Sequence, residues 1–194
     1  MKKNKFPQKR VVYSLVLGLL VFTGYLFSDH SWWRFNLKEE SKQRATFNNG
    51  YDYSNILVKR VVDGDTLFLE SREYVRLIGI DTPEIHESVK LHRDALRSNQ
   101  SVEKIKQSGR QSYEFTKQMV EGKRVRLEFD TERYDKYNRI LAYVFLPDGA
   151  FLNAEIVKEG YASITHYKSS VKYADLFLKL YQQARNNQRG LWRQ

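Results

Sequence analysis

Cysteine is absent, and proline, glycine and histidine are scarce: 3, 10 and 4 residues in a chain of 194. Without cysteine there are no disulfides, thiolate zinc sites, iron–sulfur clusters or cysteine nucleophiles. So little proline and glycine excludes collagen-like and low-complexity architectures. The four histidines, His30, His86, His92 and His166, have no metal-binding spacing, so no imidazole-rich centre is expected. His86 and His92 lie in a polar stretch and are expected to be solvated. Acidic residues are also under-represented, 23 against 33 Lys and Arg, which leaves a net charge of +10. Such an excess points to polyanions, either nucleic acid or anionic lipid. A hydrophobic share of 41% is enough for a buried core.

There is one long run without charge, residues 11–28. It follows Lys2, Lys3, Lys5, Lys9 and Arg10 and precedes Trp32 and Trp33. A basic flank, an apolar stretch and an aromatic boundary describe a signal anchor or a signal peptide. As a helix the run spans about 27 Å, near the lower limit for crossing a bilayer. Bulky Tyr25, Leu26 and Phe27 stand where a cleavage site would need small residues, which favours the anchor. Residues 1–10 then form a basic cytoplasmic tail, and the remainder faces outward at the cell membrane, or is secreted if the segment is removed. Residues 29–53 are polar, carry the turn signal Asn48-Asn49-Gly50 and read as a tether. The first fifty residues hold nine Lys and Arg against three Asp and Glu, so most of the positive excess lies there.

From residue 54 the texture is globular. Ile56–Val62, Thr66–Glu70 and Tyr74–Ile80 are rich in β-branched and aromatic residues, with turns at Asp63-Gly64 and Ser71-Arg72-Glu73. Arg124–Phe129 and Arg139–Leu146 continue the strand pattern. Gln111–Glu121, with Phe115 and Met119 at helical spacing, predicts a helix that stops at Gly122. Residues 86–107 are polar and helical in part. Asn153 is expected to cap a short helix ending at Gly160. A last helix from about Val171 carries the pairs Leu176/Leu180/Ala184 and Phe177/Tyr181, and Trp192 is expected to be a packing anchor. The expected fold is α+β, mainly β: a five-stranded OB-type barrel with about three helices, preceded by a signal-anchor helix.

Chemistry concentrates in two segments. Asp65 opens the second strand of the meander and Asp81 closes the third, so two carboxylates meet at one end. With a backbone carbonyl and waters they suit a hard divalent cation, Ca²⁺ more naturally than zinc. Arg76 lies five residues before Asp81, an odd spacing that alternation would send to the opposite face, so convergence requires a twist or bulge near Gly79. A cation, an arginine and the further carboxylate of Glu84 are what phosphodiester hydrolysis needs: charge neutralisation on the phosphate and a base for water. In the second segment, Asp130 to Arg139, Arg139 stands at a strand start as a second phosphate clamp, and Tyr137 is placed to stack on a base. Taken singly, each segment also reads as an ordinary turn or charged loop; the combination is what points to chemistry.

Residues 54–194 resemble the thermonuclease family, the staphylococcal nuclease-like domains. The resemblance rests on Val62-Asp63-Gly64-Asp65-Thr66, on Arg76-Leu77-Ile78-Gly79-Ile80-Asp81-Thr82-Pro83-Glu84 and on Asp135-Lys136-Tyr137-Asn138-Arg139 followed by Leu141-Ala142-Tyr143-Val144. Phe151-Leu152-Asn153, Gly160-Tyr161-Ala162 and Gly190-Leu191-Trp192 follow in the family's order. It implies Ca²⁺-dependent cleavage of DNA and RNA to 3′-phosphate ends. By the same resemblance Asp65, Asp81 and the Thr82 carbonyl bind Ca²⁺, Glu84 is the general base, Arg76 and Arg139 clamp phosphate, and Lys136 and Tyr137 contact the nucleotide. A monomer is expected. Two departures stand out: a longer polar segment at 88–107, and Asn138 where glycine is frequent, which Asn tolerates with left-handed backbone. A downstream stacking aromatic falls on His166 or Tyr167. The competing readings are a non-catalytic, membrane-tethered nucleic-acid-binding OB module and an anchored protein-interaction domain.

Overall fold

The computed structural model describes residues 51–165 and 172–193. The expected tail, residues 11–28 and nearly all of the tether fall outside them, as do His166 and Tyr167. Among the described residues no helix is long and apolar enough to cross a membrane. Tyr53, at the expected end of the tether, is already buried in the barrel with its ring edge-on to Phe129.

Five strands close a barrel in the order β1-β2-β3-β6-β5. They are β1 (Ile56–Asp63), β2 (Thr66–Leu69), β3 (Tyr74–Leu77), β5 (Arg124–Glu128) and β6 (Ile140–Phe145). β1, β2 and β3 form an antiparallel meander, and the β1–β2 register slips twice, between Val58 and Arg60 and between Val61 and Asp63. β3 and β6 pair in parallel, which demands a long crossover. That crossover carries α1 (Val89–Ser98), α2 (Val102–Val120) and β5. All six residues of β6 are buried. α3 (Leu152–Lys158), α4 (Ala174–Asn186) and a 3₁₀ turn (Gly190–Trp192) follow, and the short strands β4 (Ile80–Asp81) and β7 (Ser163–Ile164) pair outside the barrel.

The described residues thus contain four α-helices where about three were expected, because the polar stretch folds. Ser88 caps α1 through the Leu91 N–H at 3.0 Å, and Asn99 ends it in the left-handed region at φ 52°. Ser101 then caps α2 through the Lys104 N–H. α2 turns inward a face that is apolar at its ends and small or hydroxyl-bearing in its middle. Ile105, Gly109, Ser112, Thr116 and Val120 are buried, while Phe115 is half-buried and stacks on Tyr161 with ring centroids 4.5 Å apart. Small and hydroxyl side chains let this helix lie directly on the loops of the site, which an apolar-period count does not register.

Asn153 is no cap. It sits inside α3, fully buried; its Oδ1 accepts the Val144 N–H at 3.0 Å and its Nδ2 donates to the Ile78 carbonyl at 3.0 Å. The expected strand Tyr74–Ile80 ends at Leu77, because Gly79 at φ 81° redirects the chain into β4. The last helix begins at Ala174 and buries Phe177 and Ala184. Trp192 does serve as an anchor, edge-on to Tyr181 at 5.4 Å.

Candidate active site

The Gly79 turn decides the site's geometry. Once β4 leaves the line of β3, Arg76 and Asp81 no longer obey one alternation, and Arg76 Nη2 reaches Asp81 Oδ1 at 2.6 Å. The same nitrogen donates to the Ile80 carbonyl at 3.2 Å. Arg76 Nη1 forms an ion pair with Asp65 Oδ1, so one guanidinium joins both carboxylates.

Asp65 is buried, with contacts on both oxygens. Beyond Arg76 and the Thr66 hydroxyl on Oδ1, its Oδ2 accepts the Thr82 N–H at 2.9 Å and the Thr82 hydroxyl at 3.0 Å. Burying that carboxylate is tolerable only because a cation and several donors surround it. The hydrogen bonds also fix the Thr82 peptide, and with it the segment that ends in Glu84.

α2 presses this segment from behind. A methyl group at Gly109 would stand 2.6 Å from the Glu84 carbonyl oxygen and 2.7 Å from that of Pro83. The Asp63–Asp65 turn is held by the same helix, with the Thr116 hydroxyl donating to the Gly64 carbonyl at 2.8 Å. Both halves of the site therefore rest on one helix face.

Sequence reasoning missed Lys90 and Asp94 of α1. Lys90 Nζ lies 2.9 Å from Glu84 Oε1, 3.2 Å from Asp81 Oδ2 and 3.5 Å from Asp94 Oδ2, and donates to the Thr82 carbonyl at 3.3 Å. Burial works against its charge, but Asp81 and Glu84 outweigh it and hold the ammonium above the ordinary lysine pKa. The only available signal was the polar segment itself, which names no partner. α1 also walls a cavity of about 430 Å³ that touches the site through Asp81, Thr82 and Pro83.

Arg139 is placed differently. It precedes β6, two residues from Leu141, the register partner of Arg76, and so leads into the strand beside that of Arg76. Its guanidinium pairs with Asp135, Nε to Oδ2 at 2.7 Å, and Asp135 Oδ1 accepts the Arg139 and Tyr137 N–H groups at 2.9 Å each. Burial raises the Asp135 pKa, yet these donors prevail and hold it below the ordinary range. Asn138 is left-handed at φ 60°, as its place in the motif requires. Tyr137 is 68% exposed, with Lys136 Nζ 4.9 Å and Arg139 Cζ 5.5 Å from its ring centre. His86 is exposed, and His92 is largely exposed and paired with Glu87.

The donor set suits a hard cation. Among the described residues no three Asp, Glu or His side chains are gathered closely enough to hold a metal ion unaided. Yet the Asp81, Glu84 and Thr82 oxygens already converge on one positive charge, that of Lys90. An all-oxygen ring of this kind is calcium or magnesium chemistry rather than zinc chemistry.

A small closed barrel with two carboxylates joined by one arginine defines an OB-type domain with a polar, charge-rich site. Residues 74–194 match the family described as Staphylococcal nuclease homologue. The chain is 38% identical over 154 residues to a thermonuclease of Staphylococcus intermedius, covering 78% of this chain and 82% of that one. It is 33% identical over 138 residues to a thermonuclease of Staphylococcus hyicus, covering 70% and 73%. With Endonuclease YncB of Bacillus subtilis it shares 29% identity over 163 residues, covering 81% and 71%. The chain belongs to the staphylococcal nuclease homologue family.

Proposed function

We propose that this chain is a hydrolase of the nuclease type, a Ca²⁺-dependent endonuclease that cleaves DNA and RNA to 3′-phosphate ends. Its class follows from family membership together with relatives named thermonuclease and endonuclease. The observation that carries the reading is the Arg76 guanidinium shared between Asp65 and Asp81, with Glu84 tied to Asp81 through Lys90.

Asp65, Asp81 and the Thr82 carbonyl would hold the metal, whose charge polarises a phosphate oxygen and stabilises the charge that develops there. Arg76 and Arg139 bind phosphate oxygens and hold them through the charge build-up of in-line attack. Glu84 accepts the proton of the attacking water, whose oxygen bonds to phosphorus as the bond to the 5′-oxygen breaks, and that oxygen takes a proton from solvent to leave as a 5′-hydroxyl. Tyr137 stacks on a base, and Lys136 adds attraction to the backbone.

The residues preceding the barrel complete the proposal. Residues 11–28 tether the domain to the outer face of the cell membrane, or lead to its secretion if removed, and the barrel acts as a monomer. Protease accessibility on intact cells and light scattering of the purified protein test these two points.

The activity is tested with labelled DNA and RNA, with added Ca²⁺ or with chelator. Ca²⁺-dependent cleavage of either, leaving 3′-phosphates, is the expected result. Binding of both without cleavage would replace the enzyme by the nucleic-acid-binding OB module.

A further inference from the structure

We propose that Lys90 is a built-in cation that occupies the metal's place in the site, so that a divalent ion enters only by displacing it, and that this displacement frees Glu84. The inference rests on the metal-dependent reading above and goes beyond it by giving the polar segment a role.

Lys90 Nζ contacts three groups that the activity needs for other purposes: Asp81 Oδ2 at 3.2 Å, the Thr82 carbonyl at 3.3 Å and Glu84 Oε1 at 2.9 Å. Two of these are metal donors and the third is the base. An ammonium seated on those oxygens opposes a divalent cation there, because like charges a few ångströms apart repel in a half-buried site. The lysine is held there by construction. It lies one residue past the first position of a helix capped by Ser88, and Asp94, one turn further on, accepts it at 3.5 Å. Asp94 also offers the ammonium a resting place once it leaves Asp81 and Glu84.

Two consequences follow. Metal affinity is weakened by the cost of expelling Lys90. While Lys90 remains, a Glu84 oxygen is tied up as its acceptor, so metal loading and release of the base occur as one event.

The test is Ca²⁺ titration by calorimetry of the full chain as wild type, Lys90→Gln and Lys90→Arg, each checked for folding by circular dichroism. Lys90→Gln is expected to bind at least about tenfold more tightly than wild type, and Lys90→Arg, which keeps the charge, within about threefold of it. In the wild type, the NMR signal of the Lys90 ammonium is expected to shift with the same midpoint as Ca²⁺ binding. If the wild type binds Ca²⁺ but Lys90→Gln binds no tighter, or the ammonium signal stays fixed, the inference is overturned and the proposed function stands. Equal tightening by both variants also overturns it, since the cause is then packing and not charge. If none of the three binds Ca²⁺, the metal-dependent reading falls and the inference falls with it.

Discussion

Gly109 of α2 and Glu84 of the site loop are in backbone contact: a single methyl group on Gly109 would stand 2.6 Å from the Glu84 carbonyl oxygen. The obstruction is main chain, so a rotamer change cannot relieve it. Gly109→Ala is therefore expected to cost about 1–3 kcal/mol of stability by overpacking. It is also expected to lower turnover at least about tenfold by moving Glu84, since misplacement of a reacting group by 1 Å is costly. Urea unfolding and the initial cleavage rate measure the two effects; unchanged values for both would show that the contact does not position Glu84.

The two arginines should separate on substitution. Arg76 is the counter-ion of buried Asp65, and Arg76→Ala leaves that carboxylate uncompensated. A loss of about 3–5 kcal/mol is expected, with activity lost alongside. Arg139 is paired with Asp135 near the surface, and Arg139→Ala is expected to cost no more than about 1 kcal/mol. Its turnover should nonetheless fall about 10²–10³-fold, as for removal of one electrostatic donor. Denaturation midpoints read beside cleavage rates check the contrast, and equal destabilisation by both variants would refute it.

The Asp135 turn predicts a pH dependence. Donors from Arg139 and Tyr137 lower the Asp135 pKa in the folded protein. A depressed carboxylate contributes stability that is fully present above its unfolded pKa and lost as pH falls through the folded one. The stability gap between wild type and Asp135→Asn should be flat above about pH 5 and shrink as the pH drops below about 4. Unfolding free energies across that range test it, and a gap that widens on acidification would reverse the sign.

Asn153 joins β6 to the turn after β3. Asn153→Ala removes the acceptor of the Val144 N–H and a donor to the Ile78 carbonyl, both buried. Each orphaned group costs about 1–3 kcal/mol, so the variant should rank among the least stable single substitutions in the barrel. Chemical denaturation measures it directly; a loss under about 0.5 kcal/mol would mean that water replaces the amide.

The barrel was legible in the sequence because its strands are β-branched runs broken by recognisable turns, and five were expected where five close it. The convergence of Arg76 and Asp81 was legible only as a requirement: the odd spacing demanded a break near Gly79, and φ 81° at that residue supplies it. Asn138 likewise adopts the left-handed backbone that its position called for. Three features escaped for physical reasons. The inward face of α2 runs through Ile105, Gly109, Ser112, Thr116 and Val120, and its small and hydroxyl middle gives no hydrophobic period from which its contact with the site could be read. Asn153 works through contacts 9 and 75 residues away, which no local capping pattern contains. Lys90 looks like any surface lysine until α1 folds over the site.

The central claim is that Glu84, supported by Asp65, Arg76 and Asp81, performs phosphodiester hydrolysis. Its most direct test is the rate of Ca²⁺-dependent cleavage of end-labelled DNA by the wild type and by Glu84→Gln, with unfolding midpoints measured on the same samples. The wild type should cleave, and Glu84→Gln should retain its fold while its rate falls about 10²–10⁴-fold. Wild-type turnover by a folded Glu84→Gln protein would contradict the account.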